Sequence, residues 1–267
     1  MKRALVALVL AAAAVAFSAG VASATHAWST YHWARTANPF TIQVGDNLTN
    51  GWSTYLQKAS ADWNKSTVAK NTVVPGQSTK RCRATSGRVE VCNGTYGNNG
   101  WLGLASISVS QGHIVQGTVK VNDTYFNTAT YNNPNEKQHV MCQEVGHTWG
   151  LDHQDTSGAS LNTCMDYFSN TGANAGSTKS TSPNQGDYDE LLCIYDPGSA
   201  GKTLTSTNHT CTGTGHLDSS TTIGATTFPT AATDNVPSWA NPRESVYVEH
   251  LPNGLTQVTY ILWALDR

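Results

Sequence analysis

The chain is poor in charge. Lys, Arg, Asp and Glu make up 13% of its 267 residues, and the formal net charge is −2. The basic face of a nucleic-acid binder is therefore missing, and so is the lysine-rich amphipathic helix that lies on a membrane. No long apolar run returns after the first two dozen residues, so nothing later in the chain is expected to span a bilayer. No two cysteines stand at C-x-x-C spacing, which disfavours a zinc ribbon or a thioredoxin-like site. No internal repeat is present.

What is there begins with a leader. Met1-Lys2-Arg3 is a short positive start, the apolar run ALVALVLAAAAVAF follows, and Ala22-Ser23-Ala24 is an A-x-A cleavage site. That is the layout of a secretory signal peptide over residues 1–24. The run is short for a membrane anchor, and no cysteine stands at the cleavage point to carry a lipid. A secreted, extracellular protein is expected, with a mature start near Thr25 and no membrane partner after cleavage. Roughly 240 residues then remain (267 less 24), which suits one sizeable domain with an appendage. Six cysteines, an even count, fit an oxidising compartment. Cys82 and Cys92 flank an expected hairpin, Cys193 and Cys211 bracket a short stretch, and Cys142 and Cys164 remain. This is one connectivity among the 15 that six cysteines allow.

Phe40, Ile42 and Val44 alternate as in a strand, and Trp52, Tyr55, Leu56, Ala59 and Trp63 fall at helical spacing as a core stripe. Residues 71–92 read as short strands. WLGLASISV and HIVQGTVKV alternate on either side of Ser110-Gln111-Gly112, a hairpin signal. A polar loop over 122–137 leads to a helix. Residues 169–186 are a Ser/Thr/Asn/Gly-rich loop, and DYDELLCIYD returns to helical spacing. From Gly198 to about Val236 the composition is that of a linker. The last stretch, ESVYVEHLPNGLTQVTYILWA, alternates around Pro252-Asn253-Gly254 as a β-hairpin.

The chemistry concentrates in HVMCQEVGHTWGLDH, His139–His153. In a helix, positions 143 and 147 lie one turn apart, about 6 Å along the axis, and can share one metal ion. Glu144 beside them is placed to deprotonate a water. Gly150 can take positive φ and end the helix, so that His153 returns to the same point. Residue 143, His147 and His153 would then leave one coordination position open, as catalytic zinc sites do.

E-V-G-H-T-W-G-L-D-H resembles the metzincin pattern H-E-x-x-H-x-x-G-x-x-H at every fixed position but the first. Cys164-Met165-Asp166-Tyr167 is similar to the Met-turn of that family, and GLASISVSQGHIVQGTVKVND and DYDELLCIYD are similar to the edge strand, next strand and final helix of its matrixin branch. The likeness spans about residues 28–196. It implies a zinc-dependent endopeptidase acting on a peptide or protein substrate through a zinc-activated water. His147, His153 and Gln143 would bind Zn2+, with Glu144 as general base and Met165 beneath the metal. Tyr167 would ligate the metal or steady the tetrahedral intermediate. Trp101–Val109 would be the edge against which an extended substrate pairs.

Two departures stand out. Gln143 occupies the place of the first ligand histidine, and no segment long enough for an inhibitory propeptide separates leader from domain. Gln143 is at the correct offset, but an amide oxygen is a weaker zinc ligand than imidazole. His139 is a poor replacement, because eight helical residues raise it roughly 12 Å from His147, while a histidine holds zinc only about 5–6 Å from its Cβ. It reads as a helix-start or supporting residue. His32, His113, His209 and His250 read as structural, Trp149 as core, and the Asn-x-Ser/Thr sites at Asn47, Asn64, Asn93, Asn122 and Asn208 carry no assigned role.

The expected fold class is α+β, with a twisted mixed sheet packed on two or three helices. The expected division is a matrixin-like domain over 25–198, a linker over 199–236 and a C-terminal β-hairpin appendage over 237–267. The rival to the peptidase is a catalytically inactive metzincin-fold protein that binds peptides or surface polymers.

Overall fold

Alternating and wholly apolar segments supply the strands, and the computed structural model describes residues 26–78, 82–204, 209–211, 217–219, 221 and 244–265. The expected signal peptide lies outside these residues, as does most of the expected linker. In chain order the elements are β1 (His32–Trp33), β2 (Phe40–Asn47), α1 (Trp52–Trp63), β3 (Ala69–Pro75), β4 (Arg88–Gly94), β5 (Trp101–Ser110) and β6 (His113–Asn122). Then follow α2 (Asp123–Phe126), α3 (Pro134–His147), α4 (Gln185–Tyr195), β7 (Thr203–Leu204), β8 (His209–Thr210), β9 (Val246–His250) and β10 (Thr256–Trp263).

The main sheet runs β3-β2-β4-β6-β5-β10-β9, with β1 beside the start of β6. β3, β2, β4 and β6 are mutually parallel, whereas β5, β10 and β9 join antiparallel. The parallel strand β4 is buried over its first five residues, as expected for a strand covered on both faces. α1 and α3 pack together in the main core, where the Trp63 indole N–H donates to the Cys142 carbonyl at 3.0 Å. This is an α+β architecture.

α3 starts earlier than the sequence suggested. Asn133 caps it by accepting the Glu136 N–H at 2.9 Å, and Pro134 takes the first turn, where its missing N–H costs nothing. His139 is therefore inside the helix. Gly146 is needed near the other end, because a Cβ there would lie 2.5 Å from both the Met165 sulfur and the Trp63 ring. Gly150, at φ 87°, turns the chain after the helix, and a Cβ there would strike the Tyr31 carbonyl oxygen.

Disulfides join Cys82–Cys92, Cys142–Cys164 and Cys193–Cys211. Three such bonds suit an oxidising compartment. Among the described residues, no helix is long and apolar enough to cross a membrane.

The C-terminal hairpin corrects the expectation of an appendage. β9 and β10 are strands of the main sheet, and β10 is buried from Gln257 to Leu262. The alternation seen in its sequence does not separate a dry face from a wet one. Val258, Tyr260 and Leu262 enter the main core, while Ile261 packs with Trp101 and Leu104 on the opposite face. Such a strand is held on both sides.

Candidate functional site

α3 and the turn after it bring His147 and His153 together. The His147 ring donates from Nδ1 to the Leu151 carbonyl at 2.9 Å, which leaves Nε2 as its lone-pair nitrogen. That nitrogen lies 3.0 Å from Nε2 of His153. Two nitrogens on one zinc, each at about 2.0–2.1 Å and separated by a tetrahedral angle, stand roughly 3.3 Å apart. The pair matches that spacing within a few tenths of an ångström. On the far side of the His153 ring, Nδ1 is 3.3 Å from the Asp152 carboxylate. Burial depresses the pKa of both histidines, that of His147 strongly, so both hold the neutral form that a metal requires.

Gln143 is fully buried on the same face of α3. Its amide N–H donates to the Asp166 carbonyl at 2.9 Å, and its Oε1 has no hydrogen-bond partner. A buried oxygen left in this way costs about 1–3 kcal/mol, and a cation is a group that would satisfy it. Two imidazoles at that spacing and one unpartnered amide oxygen are donors of a kind that suits zinc. His139 is committed elsewhere: its Nε2 donates to the same Asp166 carbonyl at 2.9 Å. The two side chains clamp one carbonyl, so His139 supports the turn at Cys164–Tyr167 from within the helix.

Glu144 is fully buried, and neither carboxylate oxygen has a hydrogen-bond partner. Burial pushes its pKa well above the usual carboxylate range. The space it fills exists because residue 103 is glycine; a Cβ on Gly103 would overlap the Glu144 side chain and Val140. Sequence reasoning missed Gly103, although an isolated glycine inside a strand is a known sign of close approach.

Met165 is fully buried against the Gly146 side of α3, and the Cys142–Cys164 disulfide ties its turn to the helix. Tyr167 lies edge-on to His153, with ring centroids 4.6 Å apart. Its hydroxyl donates to the Ile261 carbonyl at 2.7 Å, and burial raises its pKa.

That last bond comes from the C-terminal strand. The edge Trp101–Val109, expected to receive an extended peptide, carries β10 instead, antiparallel and in register from Thr256↔Val109 to Leu262↔Gly103. Tyr260 of β10 stacks flat on His147, with centroids 4.2 Å apart and planes 5° apart. Its hydroxyl is buried without a hydrogen-bond partner. Neither Tyr260 nor the strand that carries it was assigned to the site from sequence, because nothing local in LTQVTYILWA says which strand it will join.

No family model matches the chain, and no curated protein matches it. Among solved structures it is similar to high choriolytic enzyme 1 (HCE-1), a hatching enzyme zinc-protease from Oryzias latipes (Medaka fish). The identity is 11% and the TM-score 0.33, over 60% of this chain and 92% of that one.

Proposed function

We propose that the chain is a zinc-dependent endopeptidase whose cleft is closed, in the state described, by its own C-terminal strand. The observation that carries this reading is the 3.0 Å approach of two imidazole nitrogens at the end of a helix that also buries an unpartnered carboxyl group, Glu144. His147 and His153 would hold zinc through Nε2, and Gln143 through Oε1. Zinc, when bound, supplies a Lewis acid that polarises a peptide carbonyl and acidifies water.

The chain's own groups do the rest. A carboxylate at Glu144 accepts a proton from water and returns it to the departing amine. β5 offers its backbone to an extended peptide running as β10 runs now. The Tyr167 hydroxyl, which donates to a carbonyl of β10, would donate to a substrate carbonyl once that strand has left. Release is costly. Val258, Tyr260, Ile261 and Leu262 are each almost fully buried, and exposing them forfeits about 1.5–3 kcal/mol apiece. The closed form therefore dominates, and the peptidase is latent.

Two observations favour the inactive peptide-binding alternative. The Gln143 amide is turned to the Asp166 carbonyl, and the cleft already holds a strand. Metal content and triggered activity separate the two. A recognition sequence for a site-specific protease is inserted between Ala231 and Ala232 of the full chain, which is loaded with zinc, cut and assayed on a generic peptide substrate. The latent peptidase is expected to bind zinc before cutting and to gain activity after it. Glu144→Ala should retain the metal and stay inactive. A protein that binds no zinc, or hydrolyses nothing once cut and freed of its C-terminal fragment, leaves the binding reading standing.

A further inference from the structure

We propose a second divalent-cation site, of the zinc class, formed by His32, His113 and Asp218. It shares no residue with the site on α3. β1 pairs with β6 in a register that sets His32 directly opposite His113, and the two rings lie 4.6 Å apart. One ligand atom from each of the two histidines and from Asp218 falls within 4.8 Å of the others.

The hydrogen bonds orient these side chains. Nδ1 of His32 donates to the Thr30 carbonyl at 2.7 Å, and Nδ1 of His113 donates to the Gln111 carbonyl at 3.0 Å. A ring so anchored, when neutral, presents its Nε2 lone pair, which is the usual arrangement behind a metal-bound histidine. Asp218 is fixed by Arg35: its backbone N–H donates to the Arg35 carbonyl at 2.7 Å, and its Oδ2 accepts the Arg35 N–H at 2.9 Å. Its Oδ1 then faces Nε2 of His113 at 2.9 Å. A lone pair set against a carboxylate oxygen needs positive charge between them. The Arg35 guanidinium lies 3.9 Å from Oδ2 on the other side of the carboxylate, and a cation at Oδ1 would also engage the neighbouring His32 ring. The His113 and Asp218 side chains are 16% and 10% exposed, and His32 is buried, so the site is shielded but reachable.

Two imidazoles and one carboxylate suit zinc and other borderline metals rather than calcium or magnesium. Three protein ligands leave the fourth position to water. The consequence is mechanical: the ion would pin residues 217–219, which lie on the chain path from α4 to β9, against the start of β6.

Zinc stoichiometry of the full-length protein tests this, after chelator stripping, reloading and dialysis. Wild type is expected to hold two zinc ions per chain, and His113→Ala or Asp218→Asn one. His147→Ala should lose the other, so the two sites fail separately. If the α3 site binds nothing, wild type holds one ion, and His113→Ala removes it. Loss of a direct ligand should weaken binding by more than the roughly 10–100-fold typical of supporting residues. Cobalt substitution gives a second readout: the visible band that persists in His147→Ala should disappear when His113→Ala is added. The inference is overturned if His113→Ala and Asp218→Asn each bind as much zinc as wild type; the contact is then an imidazolium–carboxylate pair.

Discussion

The two histidine pairs of this protein meet by different routes. His147 and His153 are six positions apart (153 − 147) and are joined by one helix end and one glycine turn. His32 and His113 are 81 positions apart (113 − 32) and meet only because β1 lies parallel to β6 in one register. The first pair is buried among groups without partners, Glu144 and the oxygen of Gln143. In the second, Nδ1 of each ring is anchored to a backbone carbonyl and Nε2 of His113 faces Asp218. A site left under-satisfied is one whose residues wait for something else. A well-tethered site is suited to hold two parts of the chain together.

The strongest way to break the comparison is His147→Ala. It should remove zinc from the α3 site completely while leaving the cobalt band assigned to His32, His113 and Asp218. Next comes Gly146→Ala, which forces a methyl group into Met165 and Trp63. Overpacking of this kind costs about 1–3 kcal/mol, and thermal unfolding should show a drop of several degrees with the second histidine pair unaffected. Gln143→His exchanges an amide for an imidazole and should tighten zinc at α3 by about tenfold or more, roughly 1.4 kcal/mol, as read by competition with a chelator.

The carboxyl group of Glu144 sharpens the contrast through pH. Its folded-state pKa is raised, so its contribution is whole below the unfolded value of about 4.5 and is lost as pH rises toward the folded value. Metal-free Glu144→Gln should therefore melt above wild type at pH 7, and the gap should close near pH 4. His147 and His153 act in the other direction, since their lowered pKa values penalise proton uptake. Metal-free protein should lose stability as pH falls below about 6.5, and His147→Ala should reduce that loss. The smallest effect expected is that of Tyr167→Phe, which deletes the bond to Ile261. It should cost about 0.5–1.5 kcal/mol and make the strand easier to release.

Much of the α3 site was legible because its information is local. Helical spacing places residues 143 and 147 on one face, and the glycine at 150 permits the return to His153. Gly146, given no role from the sequence, is where Met165 and Trp63 close on the helix. The start of α3 was misread because the loop before it is polar and its signal, Asn133-Pro134, sits within that polarity. His139 reads from sequence as a poor ligand, and its bond to the Asp166 carbonyl depends on how the turn at Cys164–Tyr167 folds back. His32 and His113 read from sequence as structural because no sequence pattern states which strands will be neighbours.

By itself, then, the sequence determined most elements and the local constellation: strands from alternation, helices from their apolar stripes, and the approach of His147 and His153 from their spacing and the glycine between them. Only the tertiary structure decided that β10 lies on β5 and places Tyr260 on His147, which way the Gln143 amide points, and that Asp218 reaches the His32–His113 pair. The reason is physical. Helix periodicity and turn chemistry act over a few residues and are written in neighbouring side chains. Strand pairing is a choice among many edges of similar backbone, made by burial on both faces at once, and that is a property of the packed molecule.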